Sequence, residues 1–365
     1  MMAPYRIVRI SHLILGLGAG VLVALTGLTG GILAFQREID RALNPALWRV
    51  ERASQTASLE RIRAAVEATG GPPPRMFLMP NRADQALLAL LVGRGPTDRW
   101  EVFVNPYDAH VLGRRRFGSA WTERVKQWHT ELFFGRPGRL IVGAGGLASL
   151  ALSVSGFWLW WRTRPAKSPA TTGRRLALDL HRRVGIISLI PLTLLATTGA
   201  ILIFRPYLTP VLNRITGPMP LEVIPKSQPD RTLTPPTLDQ IRDKALLAYP
   251  DAQVTRIYLP EGPEGTFAVR LRLPEDGNPH GNTAIRFDQY RGNVLQAHSS
   301  RMTSAVQKVL WYAPYPWHTG DAMGPLGRGL ASLSGLFSAF LMATGLIWWT
   351  RRWTRGKTRD RSDIP

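Results

Sequence analysis

The stretch "WHTELFFGRPGR" (Trp128–Arg139) stands before a long apolar run and returns as "WHTGDAMGPLGR" (Trp317–Arg328) before another. Tryptophan, histidine, threonine, two glycines and an arginine keep their places in both copies, in the register that sets His129 on His318, while the residues between them change. The same register continues down both apolar runs, where Gly156 answers Gly345, Trp160 answers Trp349 and Arg162 answers Arg351. Only "GLASL" (Gly146–Leu150 and Gly329–Leu333) departs from it, recurring at a shorter spacing as a shifted echo.

A second pair of segments is related by its own constant offset. His12 matches His181, Gly16 matches Gly185, and Thr29–Gly30 matches Thr198–Gly199; Ile32, Leu33, Phe35 and Asn44 match Ile201, Leu202, Phe204 and Asn213. At about 3.6 residues per helical turn, positions 4 and 18 after a histidine return to its face. Gly16 and Gly30 therefore share the face of His12, leaving room for a flat group or for close helix packing.

Four stretches are nearly free of charge: Leu13–Phe35, Leu140–Trp161, Val184–Phe204 and Leu330–Trp349. Each has about 20 residues or more, which at about 1.5 Å per residue crosses a hydrocarbon layer of about 30 Å. The first has the basic start of a signal peptide (Arg6, Arg9) but is too long for its apolar region. It also has an internal counterpart that cannot be a signal, so it counts as a membrane helix. The mean hydropathy of −0.06 averages these runs with polar segments.

The net charge of +21 on 365 residues is distributed as a topology signal. Arg162–Arg183 carries seven basic residues and one acid, and Arg351–Pro365 carries six and two; both abut membrane ends. The positive-inside rule puts the N-terminus, the central loop and the C-terminus in the cytoplasm of a multi-pass inner-membrane protein. Nucleic acid is not an expected partner.

The segments left on the other side contain matching modules. "SLERIRAAVEAT" (Ser58–Thr69) and "TLDQIRDKALLA" (Thr237–Ala248) read as amphipathic helices with Ser or Thr placed to cap them. Alternating strands follow, and each module ends in a hairpin, with Tyr107 corresponding to Tyr290. The expected architecture is membrane α-helical: four transmembrane helices from an internal duplication, with two small periplasmic α+β modules. In residue numbers these are helices 1–36, 137–162, 184–205 and 326–350, modules 37–136 and 206–325, a basic loop 163–183 and a basic tail 351–365.

By this topology His12 and His181 lie at the cytoplasmic ends of the first and third helices, and His129 and His318 at the outer ends of the second and fourth. Ionisable groups at repeat-matched positions in two layers point to ligation. Imidazole holds haem iron axially. Arg9, Arg139, Arg182, Arg183 and Arg328 are candidates to pair with haem propionates. Two imidazoles without cysteine make a poor zinc site, and the nearby Asp179 and Glu131 are not repeated, since Glu131 faces Gly320. The absence of cysteine also excludes disulfides, thiolate clusters and covalent haem attachment. His110, His280 and His298 read as solvated residues of turns and strand ends.

With "HLILG" and "HRRVG" opening two helices and "WHTELFFG" and "PWHTGDAMG" preceding the other two, the chain resembles the PepSY-associated transmembrane family over residues 5–353. This is the group of iron-regulated membrane proteins that includes ferric-siderophore reductases. The resemblance implies two PepSY modules and two b-type haems ligated by His12, His129, His181 and His318. It implies reduction of a ferric siderophore or other periplasmic ferric chelate, with a cytoplasmic reductase or quinol as electron donor. The expected path runs from an inner site at His12 and His181 to an outer one at His129 and His318. Two alternatives remain open: a non-redox PepSY membrane protein that binds or regulates periplasmic proteins, and a haem carrier serving another periplasmic acceptor.

Overall fold

The computed structural model describes residues 2–95, 98–163, 173–218, 224–230 and 232–360. Residues 164–172 of the basic loop, 219–223 and 231 of the second module and 361–365 of the tail lie outside the described residues.

In chain order the first repeat comprises α1 (Met2–Leu33), α2 (Gln36–Leu43), α3 (Pro45–Trp48), α4 (Leu59–Glu67), β1 (Pro74–Leu78), β2 (Leu87–Val92), β3 (Arg99–Val104), β4 (Val111–Arg116), α5 (Trp121–Glu131) and α6 (Gly135–Thr163). The second comprises α7 (Gly173–Thr216), α8 (Leu238–Ala248), β5 (Gln253–Tyr258), β6 (Thr266–Arg272), β7 (Thr283–Asp288), β8 (Val294–His298), α9 (Ala305–Gln307), α10 (Pro314–Thr319) and α11 (Gly324–Asp360). The chain forms two compact units: Met1–Phe35, Val125–Pro210 and Pro314–Pro365 make one, and Gln36–Arg124 and Val211–Ala313 the other.

The first unit holds four helices long and apolar enough to cross a membrane, at Pro4–Leu33, Gly135–Thr163, Arg175–Thr216 and Asp321–Thr350. The chain is a multi-pass membrane protein. Without a hydrophobic drive between helices in lipid, small residues that let backbones approach set the contacts. α1 and α11 cross at such a point: a Cβ on Gly27 would collide with Ser338 Oγ, and one on Gly335 would collide with Gly27 O. Ser332 adds a hydrogen bond of 2.7 Å to Gly31 O. In the other half Gly146 of α6 faces Ala196 and Ala200 of α7. Gly146 thus occupies the place of Gly335, in the register that also sets His129 on His318, and the "GLASL" echo is out of structural register.

Two features differ from the sequence expectation. The third apolar run ends near residue 205, but α7 continues to Thr216 through Pro206 and Pro210. A proline removes its own amide donor and crowds the carbonyl four residues before it, so the helix continues past each with a weakened ladder. His129 and His318 lie not on the long helices but on the short α5 and α10 that precede them. The turn between α5 and α6 needs left-handed backbone at Leu132, Phe133 and Gly135 (φ 50°, 62° and 60°), and Gly324 repeats this at 61°.

The second unit is one continuous antiparallel sheet of order β4-β3-β2-β1-β5-β6-β7-β8. The two modules join through β1 and β5, where Phe77 pairs with Ile257. They also share one core on the face that carries α4 and α8, in which Phe77, Leu87, Val102, Ile257, Leu271 and Phe287 are fully enclosed. The helices cap each other: Leu59 N donates to Asp239 Oδ2 at 2.8 Å and Leu238 N donates to Glu60 Oε1 at 2.7 Å. Each such bond satisfies an orphan donor and contributes about 1 kcal/mol. Tyr107 and Tyr290 make equivalent bonds, to Ala83 O at 2.7 Å and Pro263 O at 2.9 Å.

On the opposite face α3 covers the first half of the sheet, with Trp48 edge-on to Phe103 at 4.9 Å between ring centres. Buried Asp40 receives Trp48 Nε1 and a two-pronged guanidinium from Arg115, which also donates to Glu101. Burial raises the Glu101 carboxyl above its ordinary range, against the pull of Arg115.

Candidate functional site: two facing histidine pairs

The helices bring the four histidines together two by two. His12 faces His181 with ring centres 6.4 Å apart, and His129 faces His318 at 6.1 Å. All four belong to the membrane-helix unit.

The protonation of each ring follows from its partners. His129 Nδ1 lies 2.9 Å from Thr26 O and His318 Nδ1 lies 3.0 Å from Leu195 O. His181 Nδ1 lies 3.0 Å from Leu341 O. A carbonyl only accepts, so Nδ1 carries the proton in each and Nε2 keeps its lone pair. His12 Nδ1 meets Ser155 Oγ at 2.8 Å, and that hydroxyl spends its own proton on Ala151 O at 2.6 Å. His12 therefore donates too. Three further hydroxyls complete the pattern: Thr29 beside His129, Thr198 beside His318 and Thr344 beside His181, at 3.1, 3.2 and 3.1 Å.

These supporting groups obey the repeat. Thr26 and Thr29 correspond to Leu195 and Thr198 in the register that matches His12 with His181, and Ser155 corresponds to Thr344 in the register that matches His129 with His318. Sequence comparison matched Thr29 with Thr198 without giving them a role. It passed over Ser155 and Thr344, although their shared hydroxyl, one residue before Gly156 and Gly345, was a usable signal.

A glycine backs every ring. A Cβ would lie 2.9 Å from His129 Cε1 at Gly30, 2.8 Å from His318 Cε1 at Gly199, 3.2 Å from His12 Cε1 at Gly156 and 3.6 Å from His181 Cε1 at Gly345. Each histidine rests on a glycine from its own repeat but faces a histidine from the other. The recurring glycines of the opening motif also have a structural cause: a Cβ on Gly138 would collide with Glu131 O, and one on Gly327 would collide with Gly320 O.

Among the candidate arginines, Arg139 pairs with Glu131 at 3.1 Å. Arg328 donates to Ala34 O at 2.5 Å and lies over the Phe35 ring at 4.7 Å. Arg9 lies 6.0 Å from the Tyr5 ring centre, and Arg182 is half-buried next to His181. Among the described residues no three His, Asp or Glu side chains gather as a metal site, so each pair offers two nitrogens.

Two imidazoles sharing one metal from opposite sides, with bonds of about 2 Å and about 1 Å from nitrogen to ring centre, would have centres about 6 Å apart. The observed separations of 6.4 and 6.1 Å are near that value, each Nε2 keeps a lone pair that could ligate, and the Nδ1 bonds resemble the orienting contacts that metal-bound histidines use. The donor set would suit a haem iron, with His12 and His181, or His129 and His318, as the residues that would hold it.

Of the remaining histidines, His298 corrects the expectation of solvation. It is 6 % exposed and bonds Tyr312 OH and Thr303 Oγ1. His280 is half-buried and bonded to Arg37 at 3.1 Å.

Fold and site together define a multi-span membrane protein with a histidine pair in each of two layers. Residues 9–352 match the family model described as the PepSY-associated TM region, and the chain belongs to that family. It is also similar to an uncharacterized protein of Pseudomonas aeruginosa, 27% identical over 252 residues that cover 61% of this chain and 62% of that protein.

Proposed function

We propose that the chain is a di-haem b-type membrane protein, His12 with His181 and His129 with His318 holding one haem each, that passes electrons across the bacterial inner membrane to reduce a periplasmic ferric chelate. The observation that carries it is the matched support of four imidazoles: Nδ1 tied down, Nε2 free, ring centres about one metal apart. When bound, haem supplies a one-electron couple. The chain's own residues hold the imidazoles in one tautomer and orientation, and the glycine behind each ring leaves room for it. Two layers arise because each repeat, inherited from a duplication, contributes one histidine near each membrane face. Hard oxygen ligands hold Fe(III) far better than Fe(II), so one electron loosens the chelate. The donor is a cytoplasmic reductase or the quinol pool.

The experiment is the absorption spectrum of the full chain, purified after expression with added haem. Two haems per chain are expected, and His12→Ala and His129→Ala should each remove about one. A colourless protein would reject the proposal. Ferric-chelate reduction that persists unchanged when all four histidines are replaced would reject the reductase activity alone.

A further inference from the structure

Three arginines on the second half of the sheet have no part in holding either histidine pair. Ile257, Val269, Leu271, Ile285 and Phe287 point into the core. Alternation along β5, β6 and β7 therefore puts Arg256, Arg270 and Arg286 on the other face. Arg256 stands directly across from Arg270, and Arg286 across from Ala268, two residues along the same strand. All three are half-buried. Nε of Arg256 and of Arg286 is enclosed without a hydrogen-bond partner. The contact from Arg256 to Tyr258 OH is a weak 3.4 Å. Among the described residues none of the three pairs with a carboxylate. Burial, and then the charge of Arg270, holds the Arg286 guanidinium below its ordinary pKa. Like charges on facing strand positions are unfavourable, and enclosed donors without acceptors add to the cost.

The fold does not require this charge. In the first half the equivalent register pairs Met76 with Leu90 and Leu88 with Phe103. Met76, Leu90 and Phe103 occupy the places of Arg256, Arg270 and Arg286, and that half of the sheet is stable with apolar side chains there. The second half has exchanged three apolar groups for three uncompensated cations.

We propose that Arg256, Arg270 and Arg286 form a binding site for a multiply charged anionic small molecule of the polycarboxylate class, and that this anion is the ferric chelate itself. Planar guanidinium forks pair with carboxylate oxygens, and three neighbouring cations on one face select a ligand that keeps negative charge after it has bound the metal. The anion site stands on the arginines; its assignment to the ferric chelate rests on the function proposed above.

The test is titration of the full chain, in nanodiscs of neutral phosphatidylcholine, with anionic gallium(III) citrate and with the neutral gallium(III) tris-acetohydroxamate. Gallium(III) takes no electron, so binding is read apart from reduction. The citrate complex should bind at least about tenfold tighter than the neutral one, and Arg270→Gln and Arg286→Gln should each weaken it about tenfold. The spectrum should stay unchanged and the melting temperature should hold or rise, since each change removes an unfavourable charge. Replacing all three arginines by their counterparts (Arg256→Met, Arg270→Leu, Arg286→Phe) should abolish the preference. No binding by the parent chain, or unchanged binding by the two glutamine variants, would overturn the site. Equal affinity for citrate alone would overturn the chelate assignment. Binding lost in phosphatidylglycerol discs would reassign the arginines to lipid head groups and overturn the proposal. A protein that binds gallium citrate but carries no haem would leave the anion site standing and reject electron transfer.

Discussion

The ring of His129 rests on Gly30 so closely that a β-carbon there would come within 2.9 Å of its Cε1, and His318 repeats the contact on Gly199 at 2.8 Å. The His12–Gly156 and His181–Gly345 contacts are looser, at 3.2 and 3.6 Å. Alanine at each glycine therefore tests the support of each ring in graded fashion. Overpacking costs about 1–3 kcal/mol when the neighbour cannot move. Gly199→Ala and Gly30→Ala should each lose most of one haem, Gly156→Ala less, and Gly345→Ala little. Haem per protein by pyridine haemochrome assay measures this; a more damaging change at Gly345 than at Gly199 would contradict it.

Removing the orienting hydroxyls should separate the two members of the His12–His181 pair. Among the described residues His12 Nδ1 has Ser155 Oγ as its hydrogen-bond acceptor, whereas His181 keeps Leu341 O if Thr344 is lost. Supporting contacts of this kind are worth about 10–100-fold in metal affinity. Ser155→Ala should weaken haem retention by about that factor and Thr344→Val by clearly less, read by haem transfer to an apo-acceptor.

The buried Asp40–Arg115–Glu101 cluster ties α2 to β3 and β4. Arg115→Met would leave two enclosed carboxylates without a counter-charge, a loss of about 3–5 kcal/mol. Glu101→Gln leaves the two-pronged Arg115–Asp40 pair in place and should cost much less, since burial already disfavours the charged form of Glu101. Thermal unfolding of the full chain distinguishes the two.

His298 supplies a pH dependence. Burial lowers its pKa from 6.5, so the folded chain refuses a proton that the unfolded chain accepts below about that pH. Stability from this group is full above pH 6.5 and falls as the pH drops toward the lowered value, by at most about 1.4 kcal/mol per pH unit. His298→Gln should flatten that acid limb of the melting curve between pH 6.5 and 5, relative to the parent. An identical slope in the variant would assign the acid sensitivity elsewhere.

Four helices and four histidines were legible because each leaves a one-dimensional mark: an uncharged run about as long as a bilayer, or a residue that recurs at a fixed offset, as His12 does at His181 and His129 at His318. What lay hidden depends on partners distant in the chain. Thr26, Leu195 and Leu341 orient the rings through backbone carbonyls, which any residue type supplies, so their side chains gave no signal. Ser155 and Thr344 differ in name while sharing a hydroxyl. The division into two separate modules missed the pairing of β1 with β5, because alternation marks a strand and not its neighbour. His298 looked solvated at a strand end until Tyr312 and Thr303 closed over it.

That central seam has its own consequence. Met76 pairs with Tyr258 and Leu78 with Arg256 around the Phe77–Ile257 pair, so equivalent strands meet as mirror-register partners about a local two-fold axis. Each half thereby hides the other's open edge, the part of a sheet most prone to recruit stray chains. A half-length chain would carry a self-complementary border, and two identical copies could zip into the same eight-stranded sheet. Within one chain that pairing is independent of concentration, and it tolerates different side chains on the two sides, as the arginines of one half and the apolar residues of the other illustrate.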